Sequence, residues 1–411
     1  MKQPCSGSFA RLTLFALLTL VLGNTCLAQT RQILHAFYST DGNDLQSQLV
    51  MDPAGNLYGT APDGGAYGYG TVFMLSPSAG GTYKLTLLHS FGAFENDGQN
   101  PYGGLAFDSA GNLYGTTYLG GYPYGGYRLG TVYQLLPSGG KWIYKLLWSF
   151  NITSHDGLES KGTPIVDAAG NIYGRTLLGG TTNDGAIFEL SPQANGSWQE
   201  NRLFNFENTW DKYAYDLALA ADGTFYGTTG SVNGTGSIFH LAPSGEGGWT
   251  ETILAEFGPV GSFDPACPCG TTLDAAGNLF GTSQGGGTAG AGTLYELPHS
   301  GDGSWGPLVV IHSFGGPFDG QYPLGRPVFD ASGNIYGTTV YGSRPSGGGI
   351  LYRFSPTSEG GWMGSILHDF GGGNDGKSPE ASPTVDSAGN IYGTTSLGGI
   401  YNGGTVWRIT P

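Results

Sequence analysis

Two segments of this sequence bring aromatic, acidic and basic side chains close together. The first is a glycine-rich stretch whose tyrosines and arginine could contact a ligand: Tyr118, Tyr122, Tyr124, Tyr127 and Arg128. The second alternates carboxylates with aromatics: Glu207, Trp210, Asp211, Tyr213 and Asp216. Aromatic rings stack on sugar rings or on other aromatics while their polar ends hydrogen-bond, and paired carboxylates are the groups that cleave glycosidic bonds. These segments therefore predict a glycan site or a protein site.

Three functions compete for these residues. A binding or scaffolding module would use the tyrosines, Arg128, Glu207, Trp210 and Asp211 to hold a glycan or an extracellular protein. A polysaccharide-active enzyme, a hydrolase or lyase, would add catalysis by Glu207, Asp211 or Asp216 with a tyrosine. A quinone-dependent oxidoreductase is the weakest option, because no cofactor-contacting pattern is present. The sequence favours the binding module and assigns no catalytic residue. The alternative without function is that both segments are loops that pack on themselves.

Histidine, cysteine and aspartate suggest no further chemistry, and we expect neither a metal nor a cofactor. Four histidines occupy one repeated His-x-Phe position and are interpreted as structural: His35, His89, His312 and His368. Cys267 and Cys269 could form a disulfide across one residue or remain two thiols. Five Asp-Gly pairs either make turns or form a ring of carboxylates for a hard cation: Asp41, Asp97, Asp156, Asp319 and Asp375.

The elements that must position these residues follow from an internal repeat. The block Asp52 to Thr60, Asp-Pro-Ala-Gly-Asn-Leu-Tyr-Gly-Thr, recurs with an aromatic at its seventh position. That aromatic is found at Tyr58, Tyr114, Tyr173, Tyr226, Phe280, Tyr336 and Tyr392. Gly-Thr-Val-Phe-like and His-x-Phe-like segments keep the same period, so each unit offers four short strands. Seven such units predict an all-β, seven-bladed β-propeller with four-stranded antiparallel blades.

The order of the strands also predicts how the ring closes. The last unit ends at its third strand, near residues 404–409, whereas residues 31–37 resemble a fourth strand without a unit. We therefore expect the N-terminal strand to pair in the last blade, which hides sheet edges that an open array would expose. We also expect the glycine that follows each repeat tyrosine to allow close approach of a neighbouring blade.

At this point the chain resembles a known family. The Asp-x-x-Gly-Asn-Leu-Tyr-Gly-Thr-Thr, Gly-Gly and Gly-Thr-Val-Phe pattern is similar to the GloVer tandem repeat of exported bacterial proteins. The resemblance covers all seven units and implies an exported, propeller-like array without an assigned activity. It transfers no functional residue to this chain.

The N-terminus predicts export, to the periplasm or the cell exterior. Basic residues precede an apolar run from Leu12 to Leu22, and Cys26-Leu27-Ala28 suits signal peptidase, so we expect a cleaved leader at 1–28 and one domain at 29–411. Loss of Lys2 and Arg11 leaves 14 basic and 31 acidic side chains, a net charge near −17. Such a surface argues against nucleic acid and acidic membranes as partners. We expect a monomer.

Overall fold

The structure is a computed structural model that describes residues 30–123, 128–151, 157–206, 213–230, 235–245, 247–258, 266–317, 319–342, 347–371 and 374–411. Strands account for nearly all of its regular structure, and a single 3-10 turn occurs at Ala79–Gly81. The expected leader, residues 1–28, lies outside the described residues.

Seven four-stranded antiparallel sheets, the blades, surround a central channel. The first strands line the channel: Val50–Met51, Ala106–Phe107, Ile165–Val166, Tyr213–Leu219, Ala266–Leu273, Val328–Phe329 and Thr384–Val385. The second strands follow: Leu57–Ala61, Leu113–Thr117, Ile172–Thr176, Phe225–Gly230, Leu279–Gly285, Ile335–Thr339 and Ile391–Thr395. The third strands are Thr71–Pro77, Thr131–Ser138, Ala186–Pro192, Gly236–Pro243, Thr293–Leu297, Ile350–Pro356 and Thr405–Thr410.

The fourth strands form the outer rim. In blades 1 to 6 they are Tyr83–Ser90, Lys141–Ser149, Trp198–Asn205, Trp249–Phe257, Val309–Ser313 and Trp362–Asp369. In blade 7 the fourth strand is the N-terminal segment Thr30–Ala36, which pairs with Thr405–Thr410 from Thr30↔Thr410 to Ala36↔Thr405. The seven-bladed fold and its closure by the N-terminal strand are therefore confirmed.

The connection between the first and second strands is a tight hairpin because the repeat aspartate organises it. In blade 1 one oxygen of Asp52 accepts the backbone N–H groups of Ala54 and Asn56, both at 2.9 Å. The other oxygen accepts the Asn56 amide at 2.7 Å and the Tyr58 hydroxyl at 3.0 Å. Blades 2, 3, 6 and 7 repeat all four contacts. These hairpins occupy one face of the ring, here called the hairpin face.

The opposite face, here called the loop face, carries the longer connections. They run from each second strand to the third, and from each fourth strand to the first strand of the next blade. Four short antiparallel ribbons stiffen them: Gly98–Gln99 with Leu119–Gly120, Gly157–Leu158 with Leu178–Gly179, Gly320–Gln321 with Tyr341–Gly342, and Gly376–Lys377 with Leu397–Gly398.

The glycine after the repeat tyrosine has a different role from the predicted one. Gly59 pairs directly with Phe73 on the third strand of the same blade, and a Cβ at Gly59 would lie 2.6 Å from the Phe73 ring. The equivalent glycines are Gly115, which lies under Tyr133 in blade 2, and Gly393, which lies under Trp407 in blade 7. The expectation of a contact with a neighbouring blade is thus corrected, because the bulk against this glycine comes mainly from its own sheet.

The hydrophobic core is divided into seven clusters. The cluster between blades 1 and 2 joins Tyr58 and Val72 of blade 1 to Leu113 and Tyr133 of blade 2. At the closure, Leu34 and Val406 of blade 7 pack with Leu57 and Phe73 of blade 1. Each blade therefore packs apolar side chains against both of its neighbours.

Candidate functional site

The channel opens on the loop face into a cavity to which all seven blades contribute. Two overlapping parts of this cavity have volumes of about 160 and 270 Å³. It is lined by residues 46–48, 102–104, 161–163, 215–217, 269–270, 324–326 and 380–382, together with Arg175.

The repeat explains why these residues converge. In blades 1, 2, 3, 6 and 7 they are the residues four to six positions before the repeat aspartate, so ring symmetry directs equivalent positions toward one axis. Their chemistry nevertheless differs between blades: Gln46, Tyr102, Lys161, Leu324 and Glu380 occupy one such position. The turn residues are thus the same in most repeats, whereas the channel residues differ. The chemical differences between blades are therefore concentrated at this cavity.

An ion pair crosses the cavity from blade 4 to blade 6. Arg326 Nη2 donates to Asp216 Oδ1 at 2.7 Å, and the backbone N–H of Thr271 donates to Asp216 Oδ2 at 3.1 Å. Gly270 of blade 5 lies between the partners, and a Cβ there would lie 3.0 Å from Arg326 Cβ and 3.1 Å from Asp216 Oδ2. Glycine at this position therefore leaves room for the pair.

Arg175 is the buried cation of the cavity. Its side chain lies against Gly162, and the residue is only 9% exposed. Burial lowers the pKa of Arg175 to about 10, although the nearby Asp216 acts in the opposite direction. The guanidinium therefore remains charged at neutral pH.

Lys161 lies between two tyrosines at the mouth. Its Nζ is 4.6 Å from the ring centroid of Tyr102 and 4.6 Å from that of Tyr118, a cation–π arrangement. Burial lowers the pKa of Lys161, despite the opposing charge of Glu159. Burial, together with a hydrogen bond to Glu159, raises the pKa of Tyr118 to about 12.

Carboxylates gather on the side of blades 7 and 1. Burial raises the pKa of Glu380 against a 2.7 Å hydrogen bond from Ser396, and the charge of Asp44 raises it further. Burial also raises the pKa of Asp44, against a 2.8 Å hydrogen bond from Gln46, with Asp63 adding to the rise. The mouth thus has an acidic side opposite the cations of blade 3.

Exposed aromatic side chains lie on the same face as this mouth. Among the described residues eight aromatics are exposed, and all lie on the loop face: Tyr38, Tyr67, Tyr69, Phe94, Tyr122, Tyr215, Tyr341 and Tyr401. Tyr38 and Tyr401 make an edge-to-face pair at 5.5 Å across the junction of blades 7 and 1. The hairpin face and the outer rim carry none of these eight.

The structure places some of the residues that the sequence singled out. Tyr118 lies beside the cavity, Tyr122 is 59% exposed on the loop face, and Asp216 lines the channel. Arg128 donates through Nη1 to the backbone carbonyls of Glu95 and, at 2.9 Å, of Gly121, so it ties two loops together. Tyr124, Tyr127, Glu207, Trp210, Asp211 and the side chain of Tyr213 lie outside the described residues.

The sequence interpretation missed the cavity residues Arg175, Lys161, Arg326 and Glu380. For Arg175 a signal existed, because the other six repeats have threonine at this position: Thr60, Thr116, Thr228, Thr282, Thr338 and Thr394. The other three residues lie just before the repeat block, where no pattern marks them.

The repeated Asp-Gly aspartates face the repeated histidines. The shortest carboxylate–imidazole distances are 3.1 Å for Asp41 with His35, 2.9 Å for Asp97 with His89, 2.9 Å for Asp319 with His312 and 2.8 Å for Asp375 with His368. Asp97 also accepts the backbone N–H groups of Gly92, Ala93 and Gly98. These carboxylates organise loops.

Asp156 and the side chain of Cys267 lie outside the described residues, so the disulfide with Cys269 stays a prediction.

Within the described ranges, no group of three or more His, Cys, Asp or Glu side chains is placed to hold a metal ion. In the same part of the chain, no helix has the length and apolar character needed to cross a bilayer.

The fold and the channel define a repeat-built β-propeller with a polar cavity at its axis. The sequence pattern of the Gloeobacter/Verrucomicrobia repeat matches residues 24–230, 123–305 and 214–411. The chain therefore belongs to the Gloeobacter/Verrucomicrobia repeat family, as the sequence motifs indicated. None of the curated proteins matches it.

Solved structures share the architecture at low sequence identity. A protein from Lactobacillus plantarum is 13% identical, with a TM-score of 0.54 and coverage of 83% of this chain and 88% of that one. A protein from Bacteroides uniformis, provisionally named a 6-phosphogluconolactonase, is 13% identical, with a TM-score of 0.51 and coverage of 82% and 88%. An ancestral GH74 enzyme is 10% identical, with a TM-score of 0.50 and coverage of 82% of this chain and 53% of its own. At these identities the likeness concerns the fold alone.

Proposed function

We propose that this protein is an exported glycan-binding propeller whose ligand lies on the loop face, over the mouth of the channel. The observation that carries the proposal is the placement of all eight exposed aromatics of the described chain on that face. Aromatic rings provide flat apolar surfaces for sugar rings while tyrosine hydroxyls hydrogen-bond.

The polar character of the cavity supports a glycan over a protein partner. The core of a typical protein–protein interface is apolar and depleted of charged residues. Here the aromatics share a face with a depression lined by Gln46, Lys161, Arg175, Arg326 and Glu380. Hydrogen-bonding groups and aromatic rings on one face suit a ligand that carries many hydroxyls.

Binding is favoured over hydrolysis by the contacts of Asp216, the described member of the carboxylates considered for catalysis. Both of its oxygens are already engaged within the protein, one by Arg326 and the other by the backbone of Thr271. The other carboxylates considered for catalysis, Glu207 and Asp211, lie outside the described residues. Enzymatic cleavage is therefore treated as an outcome that the experiment must exclude.

The experiment is a glycan array on the purified chain, paired with an assay for release of reducing ends. We expect binding without release. The Tyr401→Ala variant should weaken binding by roughly tenfold, the scale of a stacking aromatic in an interface. Ile143→Ala is the matched control, because Ile143 is 49% exposed but lies on an outer strand.

Each outcome decides between the functions. Release of reducing ends would show that the protein is an enzyme and not a binding module. Absence of binding to every glycan on the array would overturn the glycan proposal and favour a protein partner. Equal loss of binding in Tyr401→Ala and Ile143→Ala would show that the ligand does not bind specifically on the loop face.

A further inference from the structure

The cavity holds a buried cation with one nitrogen, Nη1, that makes no hydrogen bond within the described part of the chain. Arg175 is nine-tenths buried, and its Nη1 has no hydrogen-bond partner among the described residues. A buried charge without a partner is costly, and carboxylates are the usual partners of a guanidinium. Some compensating group is therefore expected at Nη1.

The acidic side chain beside Arg175 is already committed. Asp216 directs Oδ1 to Arg326 and Oδ2 to the Thr271 backbone. The cavity is lined by three cations, Lys161, Arg175 and Arg326, and by two carboxylates, Asp216 and Glu380. Because both oxygens of Asp216 are already engaged, the cavity lining keeps more cations than available carboxylates within an otherwise acidic protein.

The architecture of the propeller does not require an arginine here. In five of the other six blades the equivalent threonine donates its hydroxyl to a carbonyl of the next blade, as Thr116 does to Gly162 O at 2.9 Å. Blade 3 lacks the threonine that makes this interblade hydrogen bond and has instead a guanidinium side chain that lines the cavity. Such an exchange is explained by binding rather than by folding.

We propose that Arg175, assisted by Lys161, binds a carboxylate of the ligand, so that the glycan recognised on the loop face is an acidic one such as a polyuronide. This inference rests on the proposed glycan-binding function. A planar guanidinium can hold a carboxylate through two parallel hydrogen bonds, a geometry that a lysine ammonium cannot reproduce.

The size of the cavity limits what enters it. Its two overlapping parts, of about 160 and 270 Å³, place it near the lower end of the roughly 300–1,000 Å³ range of pockets that enclose small-molecule ligands. One sugar unit with its carboxylate is therefore the expected occupant, while the rest of the chain lies across the exposed tyrosines.

The test is calorimetric titration with oligogalacturonides and with the same oligomers after methyl esterification, which removes charge and preserves the sugar. The acidic oligomer should bind the wild-type protein roughly ten- to hundredfold more tightly, the range expected of a charge-assisted hydrogen bond. Arg175→Thr restores the residue of the other blades and should abolish this preference.

Two further variants control for folding and for net charge. Arg175→Lys keeps the charge but loses the paired hydrogen bonds, so its preference should be intermediate. Lys141→Thr removes one positive charge from an exposed outer-strand position and should leave the preference unchanged. Thermal unfolding of each variant shows whether the ring is intact.

The results separate this inference from the proposed function. If acidic and esterified oligomers bind equally and Arg175→Thr changes neither, the carboxylate site is overturned while glycan binding stands. If no oligomer binds but free galacturonate does, and only when Arg175 is present, the carboxylate site stands and the glycan proposal fails. If Lys141→Thr lowers the preference as much as Arg175→Thr does, the preference for acidic oligomers comes from the net charge of the protein and not from a carboxylate site at Arg175.

Discussion

At the scale of single residues, the glycine of the Tyr-Gly-Thr motif is required by packing within each blade. Gly393 lies under the indole of Trp407, which is completely buried, so an added methyl group has no free space. The same contact with an aromatic ring recurs at Gly59, Gly115 and Gly281. This explains why the motif keeps glycine although its neighbours vary.

Gly393→Ala should therefore lower the free energy of unfolding by about 1–3 kcal/mol through overpacking. Gly245→Ala is the control, because a Cβ there meets no atom within 4 Å. Denaturant unfolding of both variants measures the difference. Equal stability of the two would show that the Trp407 ring moves aside without cost.

The hairpin aspartates link stability to acid pH. Burial alone would raise the pKa of Asp52, but hydrogen bonds from Asn56 and Tyr58 outweigh it and lower the pKa, and Asp108, Asp167 and Asp330 behave alike. A carboxyl whose pKa is lower in the folded state stabilises the fold above its unfolded pKa. That stabilisation is lost as the pH falls through the folded value.

We therefore expect the free energy of unfolding to be level near neutral pH and to fall as the pH drops below about 4, close to the ordinary aspartate pKa. The quadruple Asp→Asn variant at positions 52, 108, 167 and 330 should be less stable at pH 7 and lose less on acidification. Unfolding followed by circular dichroism at several pH values measures both slopes. Parallel slopes would assign acid sensitivity to other carboxyls.

At the scale of elements, the N-terminal strand holds the ring together. Besides its pairing with Thr405–Thr410, Arg31 Nη1 lies 2.8 Å from Asp375 Oδ2, and Arg408 Nη2 donates to Gln32 Oε1 at 2.8 Å. Leu34 and Phe37 are buried in the cluster between blades 7 and 1. Without this strand, blade 7 would expose an unpaired edge.

A chain that begins at residue 38 should be much less stable than one that begins at residue 29, because burial of Leu34 and of Phe37 contributes about 1.5–3 kcal/mol each. Adding a synthetic peptide of residues 29–37 should restore the thermal midpoint, and a scrambled peptide should not. An unchanged midpoint for the shortened chain would contradict closure by this strand.

The strands were predictable because seven copies of one pattern reinforce each other. The closing strand, predicted at residues 31–37, is observed at Thr30–Ala36, a shift of one residue. The predicted role of the motif glycine was wrong. The register of strands within a sheet, and not the spacing in the sequence, decides which aromatic ring lies against this glycine.

At the scale of the whole molecule, the site arises from ring closure. Arg175, Lys161, Arg326 and Glu380 are widely separated in sequence and meet only because the blades turn equivalent positions toward one axis. Arg175 alone is marked in the sequence, by the threonine that the other six repeats have at its position, so the sequence predicts the ring but not the charged cavity. The tyrosine-rich segment was visible because it departs from the repeat.

The central claim is that ligand recognition takes place on the loop face around the channel. Hydrogen–deuterium exchange of the protein, alone and with the polysaccharide that the array selects, tests it directly. Exchange should slow on binding in segments 61–70, 97–104 and 396–404, which carry or adjoin the exposed tyrosines and the cavity. Protection confined to the hairpins at 52–56 and 108–112, or to the outer strands, would contradict the account.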